Sequence, residues 1–302
     1  MKTAHCLPLL LCLCIGDALA GTPIQLQHAA SANARISISN IAGSVNVTAW
    51  DRNEVQVGGE LGDGAKPLQI TGDDDQLSIK VEPRSGSGSG WFNFGGDSRM
   101  APTTLELHVP RAASLTVKVI SAPLTIDGLA GGDITVNTIS GNARIHANTP
   151  ALDIDSVSGG IELSGQVDKA SLQTVSGEIL APALGGTAKL ETISGRIQAG
   201  GGPWQALTLS TVSGDVQLSG KLAAGGSIDV DSMSGDVQLR LPADTSAKLH
   251  ASSFSGDLRS DFGKPIEADR GPGSSLDTSI GAGDGKIHLE TFSGDLRVRR
   301  QD

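Results

Sequence analysis

Four aspartates stand directly after a glycine in one local context, Asp215, Asp236, Asp257 and Asp295, with Glu178 earlier and Arg196 between them. A fixed position in a repeated context implies one column of the folded chain. Carboxylates about 5 Å apart repel by roughly 0.8 kcal/mol in water and about 3 kcal/mol at an effective dielectric of about 20, so the column must be solvated or neutralised. A divalent cation is one neutraliser, which makes Asp215, Asp236 and Asp257 the calcium candidates. The Gly-Gly-x-Gly-x-Asp nonapeptide of calcium-binding β-rolls is not repeated, however, and one column does not enclose an ion. The simpler reading needs no metal and no cofactor: Asp after Gly completes a tight turn on an exposed edge.

The same column with Arg240 and Arg259 resembles the groove of a solenoid polysaccharide lyase or hydrolase, and acid–base work by it is the enzymatic alternative. Against it, the segments between the aspartates are too short to supply the long lateral loops that wall a substrate cleft. Hydroxyls recur beside the column, as in Thr174 with Ser176 and Thr211 with Ser213. Serine at every second position lacks the methyl of an ice-binding array, so these read as hydrogen-bonded ladders supporting corners. The histidines beyond residue 20, His28, His108, His146, His250 and His288, are spread singly without metal-ligand spacing and read as surface residues. No nucleophile elbow, phosphate loop or dinucleotide fingerprint is present. The expectation is no catalytic residue. The other candidate chemistry is contact: Trp91, Phe92 and Phe94 follow the tract Ser85-Gly-Ser-Gly-Ser-Gly90 and could reach a partner from a Gly-rich loop, the alternative being a lid over one end of the fold.

What must position these residues is a repeat. Ser or Thr, an apolar residue, Ser and Gly recur at Thr138–Gly141, Ser156–Gly159, Thr174–Gly177, Thr192–Gly195, Thr211–Gly214, Ser232–Gly235, Ser253–Gly256 and Thr291–Gly294. The glycines are 18, 18, 18, 19, 21, 21 and 38 residues apart, the near-constant period of a solenoid with an insertion before the last copy. Seven and five residues before each glycine stand pairs such as Ile134/Val136 and Leu207/Leu209, which is strand alternation. Two and four residues after it stand pairs such as Val216/Leu218, a second short strand.

The two sets differ in parity, so the inward face must switch within each unit. Grouping the apolar residue two before the glycine with the second set places the bend between positions minus five and minus two. Each unit then reads as strand, corner, strand, with Gly allowing close approach or a left-handed backbone. Four or five aliphatic side chains per unit, at about 1.5 to 3 kcal/mol each when buried, do not offset backbone ordering of about 1 to 2 kcal/mol per residue. Units must therefore stack, at about 4.8 Å, and be capped. The expected fold is all-β: a β-solenoid, parallel β-helix-like, with an atypical N-terminal β cap.

The chain divides accordingly into a signal peptide (1–20), an N-terminal β region or cap (21–115) with a Gly/Ser-rich aromatic loop (84–100), and the solenoid repeats (116–302). Lys2 and His5 precede the apolar run Leu7 to Ile15, and Ala18-Leu19-Ala20 supplies small residues for cleavage. Cys6, Cys12 and Cys14 all lie in this segment, so nothing after it can form a disulfide or thiolate site. Neither Cys12 nor Cys14 follows a small residue, which disfavours a lipid anchor. No later apolar run is long enough to span a membrane. A transitional unit at Val119 to Leu124 keeps the 18-residue phase without the glycine, and the stretch between Gly256 and Gly294 reads as a looped-out connection. A net charge of -10, with no basic cluster before Arg297, Arg299 and Arg300, excludes nucleic acid as a partner.

The iterated Thr-Val-Ser-Gly-Asp-Val, the signal peptide and the closing stretch from Lys286 to Val298 resemble the putative adhesin family of bacterial β-strand-repeat proteins, a domain of unknown function. The resemblance covers about residues 35 to 300. It implies an exported β-solenoid of the periplasm, outer surface or medium, and it transfers no catalytic residue. The expected function is a binding or structural module whose partner is a cell-envelope macromolecule or glycan. The alternatives are the carbohydrate-active enzyme and a calcium-stabilised scaffold.

Overall fold

A computed structural model of the chain describes residues 21–84, 100–267 and 273–301; residues 1–20, expected to be a signal peptide, and Trp91, Phe92 and Phe94 lie outside them. Twenty-two strands join in one sheet, and no helix is present among the described residues. The repeat length sets the register. Val167–Thr174 runs parallel to Ile179–Thr192 with Leu172 opposite Leu190 and Thr174 opposite Thr192, and Ile161 lies opposite Ile179. Each pair is one repeat apart, so equivalent positions stack in columns and every inward aliphatic residue lies on its counterpart. The chain is a β-solenoid whose rungs carry two strands joined at a Ser-Gly corner. Leu207, Leu209, Val216 and Leu218 of one rung are all buried, and the core runs unbroken along the stack.

The N-terminal cap is fused to this stack. Arg35–Trp50 makes both strands of one rung, parallel to Ser114–Ser121 and Leu124–Ala130 on its inner side, with Ile38 opposite Val117 and Val47 opposite Ile126. Its outer side is covered by Gln76–Lys80 and Thr103–Pro110. Antiparallel strands close the end: Glu54–Leu61 pairs with Thr103–Pro110, Thr22–Ala29 pairs with Glu54–Leu61, and Ile70–Gly72 pairs with Gln76–Lys80. Parallel stacking thus gives way to hairpins where an exposed ladder edge would otherwise invite another chain.

At the other end the looped-out connection expected between Gly256 and Gly294 is not what the chain does. The last repeat, Gly285–Ser293 with Leu296–Gln301, inserts between two earlier ones. Its first strand pairs with Val216–Ser234 on one side and with Ala247–Ser253 on the other. Its second strand lies between Val237–Pro242 and Leu258–Ser260. The chain leaves a slot, builds the outermost rung, turns back along it as the antiparallel strand Ser274–Ile280, and then fills the slot. The insertion before the last copy is therefore the terminal cap.

Among the described residues Trp204 is the largest fully buried side chain, and its Nε1–H donates to the Leu184 carbonyl at 2.9 Å. Trp204→Ala is expected to cost about 3–5 kcal/mol, by the cavity left in a core that cannot collapse across rung spacing. Trp204→Phe should cost about 1–3 kcal/mol by leaving that carbonyl unpaired. Urea denaturation midpoints of the two variants check the order.

Candidate binding surface

The corner sorts the motif residues. The hydroxyl residue three before the glycine points inward and is buried in every copy, from Thr138 to Thr291. In successive rungs its oxygen accepts the glycine N–H, at 3.0 Å from Gly177 to Thr174, 2.9 Å from Gly195 to Thr192 and 3.0 Å from Gly214 to Thr211. The serine next to the glycine reaches down the stack, as Ser158 Oγ does in donating to the Ile139 carbonyl at 3.0 Å. These are the expected hydroxyl ladders. None of the eight motif glycines has a positive φ, so close approach between rungs, not a left-handed backbone, explains the residue.

The bend lies later than expected. Positions minus seven, minus five and minus three alternate regularly inward, and the switch falls at the step from the apolar residue to the serine, both of which face outward. The apolar residue at minus two consequently points outward, against the expectation that it joins the second strand's core set. It is between 42% and 60% exposed in all eight copies, and Ile120 of the transitional unit is equally open. Backbone bonds from each following serine fix the order as Ile120, Ile139, Val157, Val175, Ile193 and then Val212. Met233 comes next, then Phe292 and finally Phe254, because the last repeat sits inside. Nine aliphatic or aromatic side chains thus form one column about 38 Å long at rung spacing.

The column ends in aromatics. Phe254 and Phe292 stack with ring centroids 4.8 Å apart and an interplanar angle of 9°. They wall an open groove of about 570 Å³ whose other lining includes Ile266, 72% exposed, with Ser252, Ser275 and Glu290. The sequence pattern groups Phe254 and Phe292 with the core set and does not single out the other lining residues.

Polar columns flank the apolar one. On the Gly-Asp side the order is Asp215, Asp236, Asp295, Asp257. Each carboxylate accepts the backbone N–H of the next aspartate, at 3.2, 3.0 and 3.0 Å in turn. Arg297 bridges Asp236 and Asp295, and Arg259 pairs with Asp257 at 2.7 Å. Of the calcium candidates, Asp215 and Asp236 each give one oxygen to the backbone ladder, and Asp236 and Asp257 each face a guanidinium. On the other side Glu191, Ser210, Asp231, Glu290 and Ser252 stand opposite one another in successive rungs.

The interleaved rung also brings together residues that look isolated in sequence. His288 lies between Asp229 and His250, the two imidazoles stack at 5.1 Å, and His250 pairs with Asp277. One donor atom each from Asp229, Asp231 and His288 lies within 4.8 Å of the others. His28, His108 and His146 lie apart from this group; His108 stacks on Trp50 and His146 contacts Ser164.

The model of the Toastrack DUF4097 family matches residues 33–299. The chain belongs to that family. This bears out the resemblance carried by the Ser-Gly-Asp motif, and the Toastrack match takes in both the cap and the repeats. Among solved structures, the Toastrack chain is similar to a putative adhesin from Bacteroides fragilis, at 15% identity over 92% of this chain and 97% of that one, TM-score 0.45. It is also similar to a putative lipid binding protein from Parabacteroides distasonis, at 20% identity over 72% and 97%, TM-score 0.43. A third is a putative adhesin from Parabacteroides merdae, at 11% identity over 92% and 96%, TM-score 0.40. No curated protein matches the chain. No helix among the described residues is long and apolar enough to cross a membrane.

In this Toastrack chain the Asp231 carboxyl is held above the usual range by burial first and then by Asp229, with His288 opposing and Glu290 adding. A carboxyl whose folded pKa is raised favours the folded state when protonated and weakens it once ionised. Asp231→Asn should therefore raise the melting temperature at neutral pH. It should also remove the part of the acid-side gain that appears as pH falls through the raised folded pKa. Melting curves of both proteins from pH 7 downward check the sign.

Proposed function

We propose that this protein is an exported, non-catalytic binding module of the cell envelope, held on a rigid solenoid and contacting its partner through the outward apolar column. Residues 1–20 are its signal peptide, and its partner is an envelope macromolecule or glycan met in the periplasm, at the outer surface or in the medium. The carrying observation is the continuous exposure of nine apolar side chains in register. Contiguous exposed apolar surface of this kind is uncommon on a chain without a partner and marks interaction sites. Each rung adds one weak contact at a fixed spacing, so affinity grows by multivalency rather than by one deep pocket. Nothing in the reading requires a cofactor. The acidic column, the alternative seat of catalysis, has at least one oxygen of each carboxylate engaged by a backbone N–H group or an arginine.

The test is retention of envelope fractions by the protein and by a variant carrying Val175→Ser, Ile193→Ser and Val212→Ser. All three side chains are exposed, so the variant should keep the melting temperature. Retention that falls at least about tenfold supports the reading. Equal retention by the two proteins would overturn it. Cell fractionation that leaves the product in the cytoplasm would overturn export.

A further inference from the structure

The apolar column does not lie alone on its face. Along its outer half it runs between two acidic rails. One rail is Asp215, Asp236, Asp295 and Asp257; the other carries Asp231 and Glu290, with Asp229 beyond. Arg297 and Arg259 offset part of the first rail, but Asp215 and Asp231 form no ion pair among the described residues. The whole chain carries a net charge of -10. Like charge disfavours a second copy of this chain, and equally an anionic lipid surface, against this strip.

The column's backbone groups are also spent. Ser176, Ser194 and Ser213 donate to the carbonyls of Val157, Val175 and Ile193, so rung-to-rung bonds consume what an added strand would need. A partner must bind through side chains. The spacing selects its form: an α-helix presents one apolar stripe residue per turn at about 5.4 Å, close to the rung spacing of about 4.8 Å. A helix with basic residues on both sides of that stripe would place them over the two rails.

We propose that the apolar column, with its acidic rails, is a docking surface for a basic amphipathic helix of another polypeptide. The inference rests on the reading of the column as a binding surface and names the chemistry of what it binds. Leucine or isoleucine side chains on the helix pack against Val212, Met233 and Phe292, and Phe254 closes the strip at one end. Lysine or arginine side chains beside the stripe meet Asp215 and Asp236 on one flank and Asp231 and Glu290 on the other. At about 1.5 Å rise per residue, the roughly 38 Å column accepts a helix of about 25 residues.

The experiment uses the purified protein and three synthetic peptides of that length: a leucine stripe flanked by lysine, the same stripe flanked by glutamate, and the lysine peptide with its leucines scrambled off one face. Fluorescence anisotropy reads binding, and circular dichroism reads helix induction. The lysine-flanked peptide is expected to bind, to gain helicity and to weaken as salt rises, while the other two bind at least about tenfold less. The Val175→Ser, Ile193→Ser, Val212→Ser variant should lose about tenfold, and so should Asp215→Asn with Asp231→Asn and Glu290→Gln. Asparagine at 215 keeps the acceptor that the Asp236 N–H uses, so the fold is held while charge is removed. Equal binding of the glutamate peptide, equal binding of the scrambled peptide, no binding of any, or preferential binding to anionic vesicles would each overturn the proposal. Those results leave the broader reading standing as long as the serine variant still loses envelope retention.

Discussion

Gly195→Ala is expected to lower the stability of the protein by about 3 kcal/mol, although it adds a single methyl group. An added Cβ at this position would overlap the carbonyl oxygen of Gly177 in the neighbouring rung. Gly159, Gly177, Gly195 and Gly214 stack directly on one another, so every motif glycine has the same constraint. The overlap involves backbone on both sides, and relief requires two rungs to separate, which breaks the ladder bonds around the corner. The Thr192 hydroxyl lies against the same site and would be displaced from the Gly195 N–H. Gly185 provides the control, since nothing lies near its added Cβ and its φ is not positive. Gly185→Ala should leave stability unchanged or raise it by about 0.5 kcal/mol through the unfolded chain. Urea unfolding of the two variants side by side measures the contrast, and equal midpoints would refute the stacking account.

Removing residues 285–302 is expected to destroy the C-terminal third of the stack and not merely to shorten it. In a simple solenoid the last repeat is the outermost rung, and its loss peels one layer. Here, among the described residues, it is the only strand pairing between Val216–Pro242 and the rung that follows it. Ile287, Leu289, Leu296 and Val298 are fully buried. At about 1.5 to 3 kcal/mol each, their loss is on the order of 6 to 12 kcal/mol, which is comparable to the total stability of a typical domain. Deletion also strips a parallel partner from Ala247–Ser253, whose remaining neighbour is the antiparallel strand Ser274–Ile280. Amide exchange should lose protection through both strands. Retained protection at Leu249 and Ala251 would show that the outer rung drops one place and closes the slot.

Interleaving of this kind left a trace in the sequence that was legible only as a number, the 38-residue gap before the last glycine. Rungs of equal pattern are interchangeable as neighbours, because each presents the same column of inward aliphatics and the same corner. Spacing therefore specifies what a rung is, and the chain's path specifies where it goes. The cluster of His288 with Asp229 and Asp231 follows from that path alone. So does the stacking of Phe254 on Phe292, residues 38 positions apart that share one level of contact.

By itself, the sequence determined the all-β class, the rung as strand, corner, strand, the inward pairs at minus seven and minus five, and the aspartate column. Those follow from local periodicity and from identical contexts lying in identical places. Tertiary structure alone decided the direction of the minus-two residue. Alternation predicts a side chain's face only until the backbone turns, and the turn falls between the apolar residue and the serine, so Val175 and Ile193 still face solvent. The aspartates that first suggested a cation ladder make backbone and arginine contacts along the column. The apolar residues beside them, read as core, are exposed along the whole column.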